Sequence, residues 1–460
     1  MTGANEDKGK VAKLQTLLRT TSSRLSGRLG LPTRKQSEDG PDLPIARVSE
    51  EGMPGRGDGA AEDAVAAGPG VTGLGGAAGG GAAGAAGGTA GGAFDGNGSL
   101  GAGGLTREQL AAAVAAAAAG GGGGGGLMHQ APIPEHRVRK FHKLLQEPVV
   151  DLDALRELSW SGVPLTLRPQ VWRLLSGYLP PAKSRQAHTL ARRRREYADM
   201  VPEYYDIPHE ERSEDEVAAY RQVAVDVPRT APNVPFFHEP IIQESLQRLL
   251  YIWGIRHPAS GYVQGMNDLV TPFLAVFLAE HLPGPMEGWG AAALNESVML
   301  EVEADCYWCL CKLIEGIQDH YTYAQPGIQR AVFRIKELVR RCEAEVSDHL
   351  DSENVDFIQF ALRWVNCLLV RELPFCLALR LWDTYLAEGT GFSEFLIYLS
   401  AAFLLSWRDR LTRLEFQDLI LFLQRLPTAD WSEPQLERVL SEAFILRSSY
   451  GDAQSHLRQG

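Results

Sequence analysis

The stretch "IRHPASGYVQGMNDL", Ile255 to Leu269, decides how the chain is read. It is a polar island between two strongly apolar helical segments. On its N-terminal side Ile242, Leu246, Leu249, Leu250 and Trp253 fall at i, i+4, i+7, i+8 and i+11, an amphipathic stripe of helical period. His257-Pro258 stops that helix, because a residue before proline is driven out of the α region. The helix restarts near Asp268, whose carboxylate suits an N-cap. Gln264-Gly265 therefore lies in the break. Glycine there lets the backbone approach a partner closely, and the Gln264 amide can hold a water while touching a second group. The structural alternative is a helix–helix turn stabilised by Asn267 and Asp268.

The same period recurs outward. Ile328, Val332, Ile335, Val339, Cys342 and Val346 alternate steps of three and four. "DFIQFALRWVNCLLV" and "FCLALRLWDTYL" read as two more helical stretches, separated by Glu372, Leu373 and Pro374. No run alternates with strand period. The fold class is all-α: an irregular stack of helices in one large domain from 132 to 457.

The 460 residues carry a formal net charge of −12, which argues against nucleic acid as a partner. The one basic run, Arg192 to Arg195, reads as a solvated helix face. The six cysteines lie in apolar helical stretches, and "CYWCLC" has no second pair at zinc-finger spacing. They read as reduced thiols rather than a metal site, which fits a cytoplasmic protein. Met1 to Lys10 is too polar for a signal peptide. The longest apolar run, "FLIYLSAAFLLSW" from Phe395 to Trp407, is too short to span a bilayer and reads as a buried helix.

Residues 1–131 read as a disordered tail and linker. Their Gly- and Ala-rich sequence cannot bury enough apolar surface to offset its conformational entropy. Thr106 and Gln109 could cap a short alanine helix ended by Gly120 to Gly126. Ser22 and Ser37 each follow an arginine by three residues, so phosphorylation there would suit an Arg-lined partner of the 14-3-3 sort. No GxxxxGK[ST] phosphate loop occurs; "GANEDKGKV" at Gly3 is one residue too long and has Val11 in place of the hydroxyl.

Two further polar motifs lie on apolar scaffolding. In "SGVPLTLRPQVWRLLSG", Arg168 and Trp172 share one helix face, and an arginine packed over a tryptophan is the structural alternative. In "VAVDVPRTAP", Asp226 precedes Arg229 by three residues, with Pro228 between. An arginine at a helix edge before a stiff loop projects a permanent planar charge suited to phosphate; the alternative is a surface Asp–Arg pair.

In this order the motifs Arg-x-x-x-Trp, apolar-x-x-Asp-x-x-Arg and Tyr-x-Gln-Gly resemble the TBC domain, the all-helical domain of GTPase-activating proteins for Rab GTPases. The likeness runs from about Ser159 to Leu386 and includes "RELPFCLALRLWDTY". Within the family the chain looks most like the member-22 type, through "RLLSGYLP", "IRHPASGYVQG" and "GIQDHYTYAQPGIQ". Val223 stands where the family usually has Ile.

The resemblance implies a dual-finger activator of Rab GTP hydrolysis that acts in vesicle trafficking. Arg229 would stabilise transition-state charge, and Gln264 would orient the attacking water. Asp226 would fix the arginine segment, Arg168 and Trp172 would brace the helix beneath it, and Tyr262 and Gly265 would shape the glutamine loop. Arg380, Trp382 and Asp383 would hold the C-terminal helices. GTP and Mg2+ would be carried by the Rab, so no cofactor and no metal site belong to this chain. Peripheral association with Golgi-type membranes is implied, without a transmembrane segment. The alternative is a TBC fold that captures a Rab or a Golgi adaptor without accelerating hydrolysis.

Overall fold

The computed structural model describes residues 133–290 and 294–451. The readings placed on the N-terminal tail, including Ser22, Ser37 and the alanine helix, lie outside the described residues. The described part is helical, and its one β feature is an isolated bridge between Val149 and Ala182. The helices are α1 (Glu135–Gln146), α2 (Leu152–Ser159), α3 (Arg168–Leu175), α4 (Lys183–Met200), α5 (Glu214–Asp226), α6 (Pro240–Arg256), α7 (Met266–Leu278) and α8 (Glu296–Glu315). They continue as α9 (Pro326–Cys342), α10 (Ala344–Ser352), α11 (Ile358–Asn366), α12 (Phe375–Glu388), α13 (Phe392–Leu405), α14 (Arg408–Leu411), α15 (Phe416–Gln424) and α16 (Glu433–Tyr450).

The centre is α7. Every residue from Met266 to Leu278 is buried, the polar Asn267, Asp268 and Thr271 included, so this helix is covered on all sides rather than striped. It packs against α3, α6, α8 and α12. The stripe of α6 is buried as its spacing requires. The stripe of α9 is buried from Ile328 to Val339, but the helix ends at Cys342, where Glu343 turns extended at φ −151°, and Val346 belongs to α10. The apolar run at 395–407 forms most of α13, which is buried against α9 and α16. No helix among the described residues is long and apolar enough to cross a membrane.

Two buried acids on α8 tie the N-terminal half together. Glu303 accepts from Ser245 at 2.6 Å and from Arg248 at 2.8 Å, and also from Tyr197. Asp305 accepts from Tyr178 at 2.7 Å, Arg173 at 3.0 Å and Arg194 at 2.8 Å. Burial pushes the Asp305 carboxyl up, but the Arg194 hydrogen bonds and the neighbouring guanidinium charges outweigh it and hold the group below its ordinary value. The solvated-face reading of Arg192 to Arg195 is therefore corrected at Arg194, which is an anchor of the core. Its neighbour Arg193 lies over the Trp308 ring, 4.2 Å from the centroid. The cysteines are free thiols; Cys306, Cys309 and Cys367 are buried, and the other three are half-buried.

Candidate functional site

The Arg229 segment begins with a well-capped helix. Ser213 and Glu216 form a reciprocal capping box at the start of α5. Its end is set by Pro228, which has no N–H to continue the ladder. Val227–Arg229 closes as one 3-10 turn packed on α6, and Ala231 then takes a positive φ of 43°. Val227 and Thr230 are buried at 2% and 0% exposure, so the backbone on both sides of Arg229 is pinned. Its side chain is exposed and makes no hydrogen bond or ion pair with the described residues.

The Gln264 segment is held as tightly. His257 ends α6, stacks on Trp253 at 4.2 Å and bonds its carbonyl through Nδ1 at 2.7 Å. Gly254 lets the returning chain pass: a Cβ there would meet the Tyr262 nitrogen at 3.1 Å. Gly265 has φ +104°, and its Cβ would lie 2.3 Å from Asn366 Nδ2. The close approach that glycine permits at 265 is thus to the chain's own Asn366. That amide donates to the Gln264 carbonyl at 2.9 Å, and the Gln264 side chain remains half-exposed at the mouth of α7.

Gly265, not Asp268, occupies the N-cap of α7. Asp268 is the third residue of the helix and is buried, with Arg371 Nε at 2.8 Å and Cys367 Sγ at 3.6 Å. A carboxylate in the first turn still favours the helix dipole, but its position is set by Arg371. Burial pushes Asp268 up, and the Arg371 charge opposes this.

The two segments are stitched together by buried polar atoms. The Tyr262 hydroxyl donates to Asp226 Oδ2 at 3.0 Å and lies 3.3 Å from Asn267 Oδ1. Asn267 Nδ2 donates to Thr230 Oγ1 at 2.9 Å. Residues flanking Arg229 therefore meet residues flanking Gln264. Burial raises Asp226, while the Tyr262 hydrogen bond and the Arg229 charge pull it down. Burial and the Asp226 charge push the Tyr262 phenol well up, so it remains a donor.

Arg168 and Trp172 do not reach the arginine segment. They converge on Asp383, which is fully buried: Arg168 donates to it through Nε at 3.0 Å and Nη2 at 2.8 Å, Trp172 Nε1 at 2.7 Å, and the Val163 N–H at 3.0 Å. The expected brace beneath Arg229 is thus corrected to a clamp between α3 and α12, and Asp383 grips the N-terminal helices. Trp382 stacks on Trp172 at 6.2 Å and meets Phe273 of α7 edge-on. Arg380 reaches the C-terminal helix through Glu437 at 2.7 Å and donates to Thr384 at 2.9 Å.

Sequence reasoning gave no role to Arg371, Asn366 or Thr230, and saw Asn267 only as a turn residue. The available signal was polarity out of place: Asn366 interrupts an apolar run, Trp364 to Val370, that is otherwise continuous. Gly265→Ala is expected to destabilise the protein by about 1–3 kcal/mol, since alanine is strained at this φ and its methyl overlaps Asn366. An unchanged thermal midpoint would remove that account of the loop.

The geometry thus presents a permanent cation and a side-chain amide from two adjacent, rigidly held loops. A guanidinium suits phosphate, and an amide can position water.

A family model described as the Rab-GTPase-TBC domain matches residues 165–412. The human TBC1 domain family member 22B is 48% identical over 324 residues, covering 70% of this chain and 64% of that protein. The GTPase-activating protein gyp1 of Schizosaccharomyces pombe is 48% identical over 326 residues, covering 70% of this chain and 63% of that protein. The matched part thus spans less than two thirds of these relatives' length. The crystal structure of the Ypt/Rab-GAP domain of Gyp1p superposes with a TM-score of 0.65 at 44% identity, covering 69% of this chain and 99% of that one. With the family model taking in more than half of its residues and all four sequence motifs falling on one helical domain, the chain belongs to the Rab-GTPase-TBC domain family.

Proposed function

We propose that this chain is a GTPase-activating protein that supplies Arg229 and Gln264 in trans to a GTP-bound Rab. The observation that carries the reading is the buried Asp226–Tyr262–Asn267–Thr230 network, which fixes the two finger segments against each other while leaving the Arg229 side chain exposed and without a hydrogen bond or ion pair among the described residues. A prepositioned charge acts on the transition state with little reorganisation, and no covalent intermediate is needed. Arg229 neutralises charge developing on the transferred phosphoryl group and leaving oxygen. Gln264 orients the attacking water. GTP and Mg2+ come with the Rab. Since Rabs act at membranes, the chain works peripherally at endomembranes such as the Golgi.

The test is single-turnover hydrolysis by a panel of GTP-loaded Rabs. Gln264→Ala is expected to lose roughly 10²-fold in acceleration, in the range for removing one positioned polar group. Its melting point should stay near wild type, because the Gln264 side chain makes no hydrogen bond among the described residues and its carbonyl, which Asn366 holds, is kept. Binding of a GTP-loaded Rab with no rate effect across the panel would replace this reading with that of a capture module.

A further inference from the structure

We propose that Asn366 is a positioning residue for Gln264: it sets the water-orienting amide by holding the Gln264 backbone carbonyl. The inference rests on the function proposed above. Asn366 is the last residue of α11, 102 positions away from Gln264 in sequence, and only 5% of it is exposed. Its Nδ2 donates to the Gln264 carbonyl at 2.9 Å, and this is the bond its side chain makes. Its Oδ1 is buried and meets no donor among the described residues. As a device for stability an amide here gains little over an apolar side chain, because burying it costs desolvation that one hydrogen bond offsets only in part. As a device for position it is apt, since the bonded atom is the backbone carbonyl of the residue that carries the functional side chain.

The surroundings fix Asn366 itself. The buried Tyr321 hydroxyl donates to the Asn366 carbonyl at 2.8 Å. The chain then leaves α11 through Leu368 and Leu369, both in the left-handed region at φ 47° and 60°. Bulky residues rarely adopt that conformation, and such strain persists only where packing enforces it. The same strained turn delivers Cys367 and Arg371 to Asp268. Three side chains from one turn therefore grip the glutamine loop and the first turn of α7. Gly265 completes the fit, because any side chain there would displace the Asn366 amide.

The test is a double-mutant cycle in the Rab hydrolysis assay. Asn366→Asp is isosteric and replaces the donor with an oxygen facing the Gln264 carbonyl. It is expected to lower kcat by roughly 10–100-fold, the scale of a misplacement near 1 Å, with KM for the Rab changed less than about 3-fold. In the Gln264→Ala background the same change should cost less than about 3-fold, because its effect is transmitted through the missing side chain. Asn366→Ala serves in its place if the aspartate variant does not fold. Equal losses in both backgrounds, or full activity of the folded variant, would overturn the inference. If wild type accelerates no Rab, the proposed function itself has failed. If Gln264→Ala slows hydrolysis and Asn366→Asp does not, only the positioning role has.

Discussion

Arg229→Ala is expected to reduce the acceleration of Rab GTP hydrolysis by roughly 10³–10⁵-fold while leaving the fold intact. The size follows from what an arginine supplied in trans does at a phosphoryl-transfer site: it adds the one charge the GTPase lacks, in a space from which water is excluded. The sparing of the fold follows from the structure, because the Arg229 side chain is exposed and bonds to nothing among the described residues. The neighbours that pin its backbone, Val227 and Thr230, are untouched by the change. Arg229→Lys should recover little, since an ammonium lacks the planar fork that addresses two phosphate oxygens at once. Phosphate release under single-turnover conditions, read beside thermal melting, decides the matter. Loss of rate with an unchanged melting point is the expected pair. A rate equal to wild type would end the finger assignment.

Much of this was legible in the sequence, for reasons that can be named. The helical period of Ile242 to Trp253 and of Ile328 to Val339 comes from local geometry, so spacing alone revealed it. Arg229 and Gln264 stood out because each is a polar residue at a helix break, and breaks are set by nearby proline and glycine. What stayed hidden was pairing across distance. Nothing near Asp268 tells that Arg371 will take its carboxylate, and nothing near Arg168 tells that Asp383, 215 residues later, is its partner. Arg194 was misread for the same reason: a charge run looks solvated until the buried Asp305 that faces it is known. The N-cap of α7 failed on a local competitor, because Gly265 reaches a positive φ that places the cap three residues earlier.

The second large effect concerns residues that hold the domain, as distinct from the proposed fingers. Asp383→Ala is expected to cost about 3–5 kcal/mol of stability, since it leaves a buried guanidinium without its counter-charge. Arg168 is 3% exposed at its side chain, and Trp172 Nε1 and the Val163 N–H would lose their acceptor as well. Against a total stability of roughly 5–15 kcal/mol, that loss should show as a large drop in the denaturation midpoint and in soluble yield. Asp383→Asn should rescue little, because its amide N–H would face donors that need an acceptor. Replacing both partners is the sharper experiment. Buried ion pairs exchanged for apolar residues of similar volume are often neutral or stabilising, so Arg168→Met with Asp383→Leu is expected to recover the share of the loss due to the unpaired guanidinium, while Trp172 Nε1 and the Val163 N–H still lack their acceptor. If the clamp is purely architectural, Rab hydrolysis should return together with the melting point. Stability restored without rate would mean that the buried Arg168–Asp383 pair also positions the finger segments, and the division between clamp and fingers would have to be redrawn.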